Sequence, residues 1–124
     1  MTPRSILIVE DDKDLRESLL DLLVIEGFSV VAAGNGEEAL QVLRKGGSFG
    51  LVLLDIMMPV MDGVAFMHAF ENEFPHLIGT TPIVVLSVLA GQVHLPDWVT
   101  DAVAKPTSLD KLVELCERCF YTLH

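Results

Sequence analysis

Leu51-Val52-Leu53-Leu54-Asp55-Ile56-Met57-Met58-Pro59-Val60-Met61-Asp62-Gly63 is the stretch whose reading decides the fold. Four apolar residues run without a break into a carboxylate, and a loop closed by a proline and a glycine follows. A short apolar run with no alternation suits a strand buried on both faces, as in a parallel sheet. An unpaired carboxylate is too costly to desolvate inside such a core. Asp55 is therefore expected at the carboxyl edge of the sheet, where α/β folds hold their sites. Taken alone, the plainer reading is the better one: Asp55 caps a loop.

The stretch is not alone. Ser5-Ile6-Leu7-Ile8-Val9 ends in Glu10-Asp11-Asp12, and Pro82-Ile83-Val84-Val85-Leu86 ends in Ser87. A weaker run, Ala102-Val103-Ala104, ends in Lys105-Pro106. Parallel strands share a direction, so their ends gather at one edge. Carboxylates, a hydroxyl and an ammonium are then brought together from distant parts of the chain. That constellation resembles the receiver domain of two-component response regulators. The resemblance rests jointly on Ile6-Leu7-Ile8-Val9-Glu10-Asp11-Asp12, on Leu53 through Gly63, on Ser87 after a strand and on Lys105-Pro106. It covers essentially the whole chain.

Composition sets the frame. The chain has 124 residues, half of them hydrophobic, which suits a single domain, 1–124, with one ample core. No apolar run approaches the ~20 residues of a membrane span, and Met1-Thr2-Pro3-Arg4 lacks a signal-peptide pattern. A cytoplasmic protein with no membrane partner is the expectation. A net charge of −10 argues against direct binding of nucleic acid phosphates and is compatible with binding a divalent cation. Cys116 and Cys119 form a C-x-x-C late in a helical pattern, where Leu112, Phe120 and Leu123 share their face. A redox pair would need a helix N-terminus, and zinc about four ligands. Two buried structural thiols are expected.

In chain order, the pattern predicts strands at 5–9, 28–33, 51–54, 83–86 and 102–104. Helices are predicted at 13–26, 37–45, 63–73 and 109–122. Leu15, Leu19, Leu22, Leu23 and Val24 form the apolar stripe of the first helix, and Gly27 ends it. Asp12 is read as the cap of that helix, Asp62 of the third and Ser108 of the last. Strands alternating with right-handed crossover helices give a parallel sheet covered on both faces. The flavodoxin-like order 2-1-3-4-5 places Glu10-Asp11 beside Asp55. Between Ser87 and Lys105 a Gly and a Pro argue against a long fourth helix; a short helix or loop is expected.

Clustered carboxylates repel one another and call for a cation, and all-oxygen ligands suit magnesium, with manganese as a second candidate. The receiver resemblance implies the roles. Asp11 and Asp55 bind the ion, Glu10 reaches it through water, and the main-chain carbonyl of Met57 supplies a further ligand. Asp55 is the phosphoacceptor. Lys105 and Ser87 meet the phosphoryl oxygens, and Pro106 follows a cis peptide that aims Lys105. The resemblance implies a sensor histidine kinase or phosphotransfer protein as donor, self-catalysed phosphorylation and dephosphorylation, and a homodimer as one candidate assembly. The kinase and the output are not named by the sequence.

The chain departs from the family pattern in three places. Ala102 stands where the family's switch aromatic is found, Val88 where a small residue is usual, and the stretch to Lys105 is short. These give weight to an alternative: a constitutive docking or dimerisation module with phosphorylation idle. A flavin binder would lack a phosphate loop after the first strand, and an aspartyl phosphohydrolase would lack an acid at Met57. In the short segment, Val93, Leu95, Trp98 and Val99 are read mainly as packing on the sheet, with an exposed docking patch as the competing reading.

Overall fold

Each apolar run forms a strand: β1 (Ser5–Val9), β2 (Ser29–Ala33), β3 (Leu51–Asp55), β4 (Ile83–Ser87) and β5 (Asp101–Ala104). The computed structural model describes residues 4–46, 48–55, 63–87, 95–104 and 108–123. It orders the strands β2-β1-β3-β4-β5, every neighbouring pair parallel. Among the described residues the helices are α1 (Lys13–Ile25), α2 (Gly36–Arg44), α3 (Gly63–Glu73) and α4 (Leu109–Leu123). The flavodoxin-like doubly wound sheet expected from the sequence is the observed one.

Side chains alternate across a strand, and here both sides are covered. Leu7, Val9, Val52, Leu54, Ile83 and Val85 meet α2 and α3, chiefly Leu40, Leu43, Phe66 and Phe70. Ile6, Ile8, Leu51, Leu53, Val84 and Leu86 meet α1 and α4 through Leu19, Leu23, Leu112 and Cys116. Double coverage is why these strands read as unbroken apolar runs. Each fully buried Leu or Ile contributes about 1.5–3 kcal/mol.

Local signals set the ends. The Asp12 carboxylate accepts from the Leu15 amide at 3.1 Å and starts α1. Gly27, with φ +95°, takes the left-handed turn that follows it. Ser108 Oγ accepts from the Lys111 amide at 3.2 Å and starts α4. The apolar stripe of α1 is narrower than expected. Leu19 and Leu23 are buried, one helical turn apart, while Val24 lies about 100° further round and is half exposed. Phe28 precedes β2 rather than opening it. Its ring packs on Phe120 at 5.0 Å, and the Arg4 guanidinium carbon lies over it, 4.3 Å from the ring centroid.

After α3 the chain makes a 3₁₀ turn at Pro75–Leu77, which the sequence reading left as a simple helix end. Residues 95–100 hold no helix. Leu95, Trp98 and Val99 pack on the α2–α3 side of the core, with the Trp98 and Phe70 rings 5.6 Å apart. The packing reading of Trp98 therefore stands. Val88 and Val93 lie outside the described residues. Cys116 and Cys119 are buried and in no disulfide. Burial pushes the Cys116 thiol up to about 12, as suits a structural thiol.

Candidate functional site

The register assembles the site. Val9 pairs with Leu54, so the next residues, Glu10 and Asp55, stand side by side at the carboxyl edge of the sheet. The Glu10 amide still donates to Ala33 O at 3.0 Å, which extends the β1–β2 ladder by one bond. The chain then turns through Asp11 into α1. One carboxylate oxygen from each of Glu10, Asp11 and Asp55 lies within 4.8 Å of the others. Glu10 and Asp55 are each 2% exposed, whereas Asp11 is exposed and marks the solvent side. Asp12, next in sequence, is not in this group because its carboxylate caps α1.

Two further side chains shape the loop. Arg16 Nη1 donates to Glu10 O at 2.8 Å and to Asp11 O at 3.4 Å. Glu38 Oε2 accepts from the Gly34 amide at 3.0 Å and from Asn35 Nδ2 at 3.3 Å, closing the turn after β2. A Cβ on Gly34 would stand 2.8 Å from Glu38 Oε2, the movable end of a side chain, and at an ordinary contact distance of 3.4 Å from Arg16 Nη1. The sequence reading missed Arg16. Its signal was there: a cation in the first turns of a helix, where the dipole disfavours one.

Of the other residues singled out, Ser87 ends β4. Asp55 pairs with Leu86, and Ser87 pairs with Ala104, the residue before Lys105. The main chain at Ser87 thus lies at the same sheet edge as Asp55. The Ser87 side chain, Met57, Lys105, Pro106 and Asp62 lie outside the described residues. Ala102, exposed, pairs with Val85 below that edge.

An all-oxygen donor set of three acids suits a hard cation better than a soft one. Like charges this close raise the energy of the ionised cluster, and a divalent ion among them lowers it. The residues present therefore fit magnesium on the chemistry of their donors.

The comparisons with known proteins agree with this geometry. A family model described as response regulator receiver domain matches residues 6–117. The response regulator protein FleR of Pseudomonas aeruginosa is 32% identical over 117 residues, which are 91% of this chain and 24% of FleR. The crystal structure of response regulator protein TrrA from Thermotoga maritima, in complex with Mg(2+)-BeF, is similar at a TM-score of 0.75 and 30% identity. That match covers 96% of this chain and 99% of TrrA. A receiver domain protein from Methanospirillum hungatei is similar at a TM-score of 0.76 and 33% identity, over 94% of this chain and 92% of its own. The chain spans 24%, 46% and 33% of the first curated relatives it matches.

Proposed function

The chain belongs to the response regulator receiver domain family of two-component systems, and from that premise we propose that Asp55 is its phosphoacceptor, in one domain spanning 1–124. Glu10, Asp11 and Asp55 would hold magnesium, with the Met57 carbonyl as a further ligand. The observation that carries this reading is the approach of the three carboxylates from two strand ends. Bound magnesium would offset the charge of the transferring phosphoryl group.

The chain's own part is nucleophilic. An Asp55 carboxylate oxygen forms the bond to phosphorus, while the bond from phosphorus to the donor's histidine nitrogen breaks. The electron pair of that bond leaves with the imidazole. Lys105 holds one phosphoryl oxygen through its ammonium, and Ser87 donates its hydroxyl to another. The pairing of Ser87 with Ala104 at the same sheet edge supports both assignments. The donor is a sensor histidine kinase or a phosphotransfer protein. The aspartyl phosphate adds charge and strong acceptor oxygens, which bias a surface read by a downstream partner.

A second reading, a docking module with idle phosphorylation, is favoured by two observations. Ala102 is exposed where the family carries its switch aromatic, and residues 95–100 form no helix. Adding magnesium with beryllofluoride, a phosphoryl mimic, separates the two. The switch is expected to bind it and to shift amide resonances beyond the site, along β4 and β5. Binding without remote shifts favours the docking module. No binding at all contradicts the phosphoacceptor assignment.

A further inference from the structure

Arg16 breaks a local preference of its own helix. It stands in the first turns of α1, where a cation opposes the helix dipole. Residues that break a local rule are often found at functional sites. Among the described residues Arg16 is in no ion pair. Its half-buried guanidinium donates instead to two successive main-chain carbonyls, those of Glu10 and Asp11. The Glu10 amide is tied to another element, at Ala33 O. The peptide units around the two acids are thus fixed from α1 and from β2 together. The guanidinium also lies near a second loop, with Nη1 3.4 Å from where a Cβ on Gly34 would stand, an ordinary contact distance.

We infer that Arg16 is a positioning residue that aims Glu10 and Asp11 at the cation they share with Asp55. The inference rests on the magnesium reading above. Because Arg16 bonds the carbonyls, it steadies the loop without occupying the carboxylate oxygens through those bonds. A merely structural arginine would change the melting temperature and leave the affinity of the folded chain for magnesium alone.

The test is a magnesium chloride titration followed by the amide resonances of residues 10–12. It compares the parent chain with Arg16→Met and Arg16→Lys. Arg16→Met keeps the apolar stem and removes the donors, and its apparent Kd is expected to rise about tenfold. Arg16→Lys can serve one of the two carbonyls and is expected to lose only about threefold. A folded Arg16→Met chain that binds magnesium as tightly as the parent overturns the inference. If Arg16→Met does not fold, Arg16→Lys decides: its ammonium can serve only one of the two carbonyls, and an unchanged Kd in Arg16→Lys then overturns the inference. A parent chain that binds no magnesium overturns the metal reading and the inference with it, a failure distinct from variants that match a parent that does bind.

Discussion

The β1–β3 corner and residues 95–100, the connection that leads into β5, lie toward opposite ends of the strands. At the corner, main-chain ladder bonds, the Asp12 cap and the Arg16 guanidinium fix a loop that carries charge. In the connection, residues 95–100 cover the sheet without a helix. Trp98 packs on Phe70, and Thr100 meets Ile83 twice: its amide donates to Ile83 O at 2.8 Å, and its hydroxyl accepts from the Ile83 amide at 3.1 Å. The corner gathers three carboxylates at one edge, whereas residues 95–100 close the core by ring packing and by the Thr100–Ile83 bonds. Between them Ala102 is exposed and pairs with Val85.

If the two regions are independent, damage to the connection should spare the corner. The largest effect is expected from Trp98→Ala. It removes half-buried aromatic packing on Phe70 and should lower stability by about 2 kcal/mol in urea unfolding, below the range for a fully buried Trp. Magnesium affinity should not change. A drop in affinity alongside the drop in stability would mean that the regions are coupled after all. Thr100→Val leaves the Ile83 amide without the side-chain acceptor and should cost about 1 kcal/mol, again with magnesium binding intact.

The smallest effect lies on the α1–α4 face, away from both regions. A hydrogen bond with the Glu26 carboxyl, and then desolvation, raises the pKa of Glu117. The folded state therefore holds the Glu117 proton to higher pH than the unfolded chain does. Between the ordinary glutamate value and the raised one, folding binds protons, so stability falls as pH rises. Glu117→Gln is expected to flatten this slope and to stabilise the chain slightly at neutral pH. The gain should vanish below the unfolded glutamate range. Thermal midpoints of parent and variant across that pH window check it, and a gain that grows as pH falls would contradict the sign.

Much of this was legible in the chain. Strand tips could be read because an unbroken apolar run buried on both faces has only one place to put a charge. That located Glu10, Asp11 and Asp55, and the parallel order brought them together. Caps were legible for the same kind of local reason, at Asp12 and Ser108. Long-range contacts were less so. Nothing next to Trp98 in sequence announces Phe70, and nothing next to Glu117 announces Glu26. Val24 looked like a core residue because it adjoins Leu23, but a single step of helical rotation turned it outward. Arg16 was overlooked because a lone arginine on a helix is usually a solvated charge. Only its two carbonyl partners set it apart.

The most direct test is to incubate the chain with a small acyl phosphate, with and without magnesium, and to weigh it intact before and after mild acid. Asp55→Asn is run alongside. One acid-labile phosphoryl group is expected on the parent, dependent on magnesium and absent from Asp55→Asn. The same acid-labile adduct on Asp55→Asn, or a parent chain that takes up none from either the acyl phosphate or a phosphohistidine donor, would contradict the assignment of Asp55.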